Sequence, residues 1–329
     1  MIVSRTPYRV SLFGGGTDFP AWFTKHGGKC ISFTIDKYSY ITAKVLPPFF
    51  EHKYRISYSK IETAKSISEI ENPAFREIIR KYSSLGIEAQ HHGDLPARSG
   101  LGSSSAFAVG LIHALLGLEG KKIDRKSLAD HAICIEQDIL HENVGSQDQI
   151  ACALGGLNRI DFKEDSEWHQ TTIELTSDKI RSIENSTLLV FSGVQRTSSD
   201  VSAPLKESIS TKEKKFFRLM EMVDTCELLL LEKKIDFGAI SDMLNESWRL
   251  KSEINPLASN RNLDSVHEFG LANGASGAKV LGAGGGGFML FICTPDKKER
   301  LSKAFADRGY IVVPMKLEFS GSTIMSLDW

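Results

Sequence analysis

The spacing of apolar and polar positions changes rhythm several times along this chain, and each change predicts an element. Ile2 to Phe13 alternates as a strand does, and Pro7 interrupts it, which predicts an edge or a bulge there. The strand ends in a tight turn, Gly14-Gly15-Gly16-Thr17-Asp18. Residues 30–46 and 53–59 keep a strand-like alternation, 73–85 suits a helix, and 87–95 reads as another strand leading to Pro96. A Gly/Ser loop from Ala97 to Ala106 then runs into Phe107 to Leu116, almost wholly apolar, which predicts a buried helix fed by that loop. Residues 124–140 are strongly helical, and Gly145 to Gln149 opens a further helix stopped by Gly155-Gly156. Residues 157–175 and 187–192 return to β-type patterning. From Pro204 to about Leu250 long amphipathic helices follow, then a short helix near 264–272. Strand-like runs flank the glycines at 282–287, a helix is expected at 296–307, and strands from 310 onward. The change from mixed to helix-rich patterning sets an α+β chain of two domains, 1–180 and 181–329.

Composition narrows the function classes. The chain has 329 residues, 40 Lys and Arg against 41 Asp and Glu, so bulk electrostatic attraction to nucleic acid or anionic membrane is not expected. No apolar run approaches the roughly 20 residues a bilayer span needs, and the first residues lack the layout of a signal peptide. Five cysteines, widely spaced and without a Cys-x-x-Cys pair, read as thiols in a reducing compartment, so a cytoplasmic protein is expected.

Three places carry chemistry. In Ser99-Gly100-Leu101-Gly102-Ser103-Ser104-Ser105 the glycines allow close backbone approach. The helix that follows offers unpartnered N–H groups to an anion such as phosphate, although a serine-capped turn has the same composition. Glu136 on a helix has Ala132, Ile133, Ile139 and Leu140 at its neighbouring offsets, so its carboxylate faces an apolar surface, whereas Asp138 sits on a more polar one. A buried carboxylate needs a salt bridge or a hard cation; magnesium, with phosphates completing its shell, is the functional alternative. Asp148 lies in the first turn of its helix, an ordinary place for aspartate, behind a capping box expected from Ser146 and Gln149. The glycine run matches G-x-G-x-x-G at Gly282, Gly284 and Gly287, but a strand-like run follows where a dinucleotide fold needs a helix. A hairpin approaching phosphate from the side opposite the first loop is expected instead.

Taken together and in order, three segments resemble the motifs of the GHMP kinases, a family that includes galactokinase and the homoserine, mevalonate and phosphomevalonate kinases. They are Thr6 to Asp18, Pro96 to Ala106 and Lys279 to Phe288, and they span nearly the whole chain. The resemblance implies a ribosomal-protein-like N-terminal domain, a ferredoxin-like C-terminal domain, and a site for ATP and Mg2+ between them. It implies that Ser99 to Ser105, with Gly284 and Gly285, bind ATP, and that Ser104 and Glu136 are the magnesium ligands. By the same resemblance Asp148 is the catalytic aspartate, Arg9 the basic residue of the first motif, and Asp18 a sugar-hydroxyl ligand. Galactokinases carry Glu-His where this chain has Gly15-Gly16, which argues against galactose. Gly15-Gly16-Thr17-Asp18 with Ala97-Arg98-Ser99 looks most like the branch acting on the anomeric hydroxyl of D-glycero-D-manno-heptose 7-phosphate, on the way to GDP-heptose and surface polysaccharide. Fucose kinases are the runner-up. Arg98 and Arg196, each in a polar loop, are candidates for the far phosphate of a small sugar phosphate, or ordinary solvated arginines. A non-catalytic nucleotide or sugar regulator and a mevalonate-type decarboxylase are the rivals from other classes. Monomer and homodimer both remain open.

Overall fold

A computed structural model of the chain describes residues 1–193 and 211–327. In chain order, β1 (Ile2–Phe13), α1 (Pro20–His26), β2 (Gly28–Val45), β3 (Tyr54–Ser57), β4 (Ile61–Ala64), α2 (Pro73–Tyr82) and β5 (Ile87–Gly93) lead to the Gly/Ser loop. After it come α3 (Ser103–Leu118), α4 (Arg125–Ile133), a π-helical turn (Cys134–Ile139), α5 (Gln147–Leu154), β6 (Leu157–Phe162), β7 (Trp168–Thr172), α6 (Ser177–Ser186) and β8 (Thr187–Phe191). The remainder holds α7 (Glu213–Leu231), α8 (Phe237–Ile254), α9 (Arg261–Ala272), β9 (Gly277–Val280), β10 (Phe288–Ile292), α10 (Pro295–Asp307), β11 (Ile311–Val313), β12 (Leu317–Glu318) and β13 (Thr323–Ser326). Residue 180, the expected boundary, falls inside α6.

Strand β2 organises the larger, nine-stranded sheet. It pairs antiparallel with β1 along its length, with β6 over its first half and with β5 over its second. The order on the main path is β13-β1-β2-β5-β3-β4, and only β3 and β5 run parallel. The pairing of β1 with β2 shifts register between Pro7 and Tyr8, which is the interruption the proline predicted: lacking an N–H, Pro7 cannot keep the ladder regular. A second sheet, β11-β8-β10-β9, is antiparallel throughout. The chain then returns to the first sheet, where β12 pairs with β2 and β13 with β1.

Helix α3 is buried along almost its whole length against β1 and β2, as its apolar sequence requires. Helix α7 comes from the second half of the chain yet packs on the same two strands. Trp22 of α1, fully buried, stacks on Phe216 of α7 with ring centroids 4.7 Å apart. The ion pairs Lys29–Asp224 (2.8 Å), Arg159–Asp224 (2.9 Å) and Arg159–Glu227 (2.6 Å) fasten the same helix to β2 and β6. These contacts set the inner face of α7 toward the glycine turns.

Candidate active site

The two glycine loops meet backbone to backbone. Gly100 has φ +79°, and a Cβ there would stand 2.5 Å from the carbonyl oxygen of Leu281; a Cβ on Gly282 would stand 2.5 Å from the Cα of Gly100. Any side chain at either position would push the loops apart, so both must be glycine. Gly102, also left-handed, is the N-cap of α3 and brings no side-chain cap, which leaves the first-turn N–H groups directed at the space in front of the helix. Gly282 turns back into β10, so the second glycine run is the expected hairpin.

A cavity of about 790 Å³ opens in front of these loops. Arg9, Gly15, Gly16, Asp18, Arg98, Gly100, Gly102, Ser103, Ser104, Ser105, Glu136 and Asp148 all face it, so most of the residues singled out in sequence converge on one space. Others are placed elsewhere. Thr17 is fully buried and its hydroxyl donates to the carbonyls of Gly14 and Lys29, fixing the turn below the cavity wall. Ser99 and Leu101 are buried under the loop, where the Ser99 carbonyl accepts from the Phe288 amide and the Leu101 carbonyl from that of Arg9. Gly284 and Gly285 do not line the cavity; the Gly285 amide donates to the Ala258 carbonyl and Gly284 packs on the same residue, so they hold the turn after α8. Arg196 lies outside the described residues.

Glu136 sits in the π-helical turn after α4 and is 1% exposed, so the burial read from its neighbours holds. Ser104 Oγ donates to one carboxylate oxygen at 2.8 Å; Ser105 Oγ (2.7 Å) and Gln149 Nε2 donate to the other. All three donors are neutral. Burial therefore raises the Glu136 pKa to about 7, against the lowering effect of the two hydroxyls, with Glu142 adding to the rise. The Oε1 of Gln149 is buried beside it and has no hydrogen-bond partner among the described residues. Ser146 is the N-cap of α5 but makes no capping bond, because Gln149 is turned to Glu136 and the Ser146 hydroxyl accepts from Gln137 instead. The expected capping box is thus replaced by a bridge between helices.

Asp148 is partnered differently. Arg9, 3% exposed, donates from Nε (2.7 Å) and Nη2 (2.6 Å) to its two oxygens, a fork-on-fork pair, and from Nη1 to the Gly100 carbonyl at 2.7 Å. One arginine thereby ties the first glycine loop to the first turn of α5. Asp18 accepts from the Gly16 amide at 2.8 Å and the Gln147 amide at 3.3 Å. Its pKa is raised to about 6, by burial first and then by Asp148, with the two amides pulling the other way. Gly145 allows this: a Cβ there would stand 1.9 Å from Asp18 Oδ2.

The cavity also has walls that sequence reading passed over. Tyr58, Asn72, Phe75, His91 and Phe107 give one end an aromatic lining, and Phe216, Leu219, Ser247, Lys251 and Asn255 of α7, α8 and the following turn close the other. Lys279 had a signal, being a lysine among the small and apolar residues of β9; Lys251 had none, in a helix already rich in charge. Among the described residues no three His, Cys, Asp or Glu side chains gather into a metal cage. Ser104 and Glu136 alone could hold a cation whose remaining ligands come from a substrate.

Residues 63–156 match the family model "GHMP kinases N terminal domain" and 228–311 match "GHMP kinases C terminal", together more than half of the chain. The chain belongs to the GHMP kinases. It is accordingly an ATP-dependent phosphotransferase that acts on a hydroxyl group. This kinase is 28% identical over 326 residues to the D-glycero-alpha-D-manno-heptose 7-phosphate kinase of Campylobacter jejuni, a match covering 94% of this chain and 95% of that protein. It is 24% identical over 322 residues to the bifunctional fucokinase/GDP-fucose pyrophosphorylase of Arabidopsis thaliana, 89% of this chain but 30% of that protein. Among solved structures, a D-glycero-D-manno-heptose 1-phosphate kinase from Bacteroides thetaiotaomicron has the same fold, with TM-score 0.82, 23% identity and 100% of both chains covered. Among the described residues of this kinase, no helix is long and apolar enough to cross a membrane.

Proposed function

We propose that this kinase transfers the terminal phosphoryl group of ATP to the anomeric hydroxyl of D-glycero-D-manno-heptose 7-phosphate, giving the 1,7-bisphosphate. The observation that carries the reading is the Arg9–Asp148 pair, which sets a carboxylate at the mouth of the glycine loop and beside Asp18, in the same cavity as Ser104 and Glu136. The first 180 residues would carry the nucleotide's loop and the acceptor's contacts, and the rest would close the cavity. The donor's phosphates lie along Gly100 to Ser105, held by the first-turn amides and hydroxyls of α3. Glu136 and Ser104 fit magnesium: the carboxylate is buried among neutral donors and has no cationic side chain of its own among the described residues. When bound, the ion would neutralise phosphate charge. Asp148 orients the acceptor hydroxyl and takes its proton late. Orientation is the larger share of its work, because phosphoryl transfer depends on positioning more than on covalent help from the protein. Asp18 accepts from a second sugar hydroxyl, and Gly15-Gly16 leave room for a substituent that larger side chains would exclude.

The heptose 7-phosphate reading draws its support from the Campylobacter relative and from Arg98, which faces the cavity and could meet the distal phosphate. The test is ATP consumption across heptose 7-phosphate, heptose, L-fucose and galactose. Heptose 7-phosphate is expected to exceed the others in kcat/KM by at least ~10-fold, the worth of one hydrogen bond to a charged group. Equal efficiency for heptose and its 7-phosphate removes the phosphate pocket; a preference for L-fucose replaces the acceptor outright.

A further inference from the structure

Two ammonium groups face the cavity without a carboxylate to pair with among the described residues. Lys279 on β9, 5% exposed, spends one N–H on the Leu12 carbonyl at 2.7 Å. Lys251, in the last turn of α8, spends one on the Gly282 carbonyl. Each ammonium has three donors, so both keep capacity for another acceptor. The position of Lys251 is the informative one. Gly282 is the residue whose backbone lies on Gly100, and the Gly100 carbonyl is bonded to Arg9 Nη1. Lys251 therefore reaches the seam between the two glycine loops from one side while Arg9 reaches it from the other. The charge of Arg9 is already matched by Asp148, so that of Lys251 is left over at the point where the loop and the aspartate face each other.

We propose that Lys251 binds the transferring phosphoryl group of the nucleotide, a cation supplied across the seam by the second half of the chain. This rests on the placing of the donor's phosphates along Gly100 to Ser105. In the step, a bond forms between the acceptor oxygen and the terminal phosphorus. The bond from that phosphorus to the bridging oxygen breaks, and its electron pair leaves with ADP. The hydroxyl proton passes to Asp148. Lys251 gives and takes no proton; it offsets the charge on the oxygens of the group in flight. Four charged groups bear on it: Lys279 of β9, Arg9 of β1, Asp18 in the turn after β1, and Asp148 of α5. Burial first, and then the two cations, lower its pKa to about 7, against the pull of the two carboxylates. The free enzyme loses this charge just above neutrality, and a bound terminal phosphate restores it.

The test compares ADP with the β,γ-imido analogue of ATP by titration calorimetry, in wild type, Lys251→Met and Lys251→Arg, with melting temperature as a check on folding. In Lys251→Met the analogue is expected to bind roughly 10- to 100-fold more weakly, the range for a hydrogen bond to a charged group, while ADP binding stays within about twofold. Wild-type affinity for the analogue should fall more steeply between pH 6.5 and 8.5 than that of Lys251→Arg, whose guanidinium does not titrate there, while the titration of Glu136 is common to both proteins and cancels in the comparison. Equal loss of both nucleotides, loss of neither, or a defect confined to the acceptor's KM overturns the proposal and leaves the loop assignment standing. A wild-type protein that binds neither nucleotide overturns both.

Discussion

Glu136 and Asp148 are carboxylates on neighbouring segments of one cavity, yet their partners give them opposite electrical characters. Asp148 receives two bonds from a guanidinium, so its charge is offset where it stands and its geometry is the larger part of what it offers. Glu136 receives its bonds from two hydroxyls and an amide, which steer the oxygens without offsetting their charge. Burial then pushes its proton affinity up toward neutrality. The cancelled carboxylate suits orientation of a hydroxyl, and the uncancelled one suits a cation that arrives with the substrate. What separates the two jobs is the donor chemistry of the neighbours, since the side chains differ by one methylene.

The largest effect is expected where orientation and proton acceptance fall on one carboxylate. Asp148→Asn should lower kcat at least ~100-fold with nucleotide affinity retained, measured by steady-state kinetics and calorimetry. Near-normal turnover would erase the distinction between the two carboxylates. Next, Glu136→Gln should raise the magnesium concentration for half-maximal activity by at least ~10-fold, as loss of a metal-site carboxylate does. An unchanged magnesium requirement would move Glu136 to a purely structural role. The smallest effect sharpens the contrast in the nucleotide-free protein. Because the folded-state pKa of Glu136 lies above its ordinary value of 4.5, the folded chain holds the extra proton between about 4.5 and 7. Stability contributed by this group is therefore lost as pH rises through that window. Glu136→Gln escapes the loss, so its melting temperature should match wild type near pH 5 and exceed it by a few degrees at pH 8. Asp148→Asn should melt lower than wild type at pH 8, since it strands the buried Arg9 without a counter-ion.

The sequence shows local physics well and convergence poorly. Pro7 announces the irregularity in β1 because a missing N–H acts at its own position, and Gly155-Gly156 end α5 for a similarly local reason. The burial of Glu136 could be read from four neighbouring apolar residues, but the π-helical turn that carries it could not, because i+3 and i+4 spacing presumes an α-helix. Ser146 and Gln149 have the letters of a capping box, and a long-range partner, the Glu136 carboxylate, won Gln149 away. Thr17, Gly284 and Gly285 belong to motifs facing a ligand, yet they serve the backbone that shapes those motifs. Helix α1, seven residues long, carries too few to set up a readable period. Lys251 is the extreme case: it is the one lysine of α8, set between Arg249 and Glu253, and only the fold says that it turns inward.

Strand β13 makes the first strand an interior one, and it comes from the far end of the described chain. Its neighbour Ser322 binds Thr6 Oγ1 at 2.8 Å across 316 positions of sequence, and the same hydroxyl meets His113 Nδ1 of α3 at 3.0 Å. On the ribosome, where segments emerge in order, β1 therefore waits with one edge open until every other described strand has been made. An open edge is an invitation to pair with another chain. The most dangerous interval for this protein is thus the one before β13 emerges, and the serine that closes it must arrive before a neighbour does.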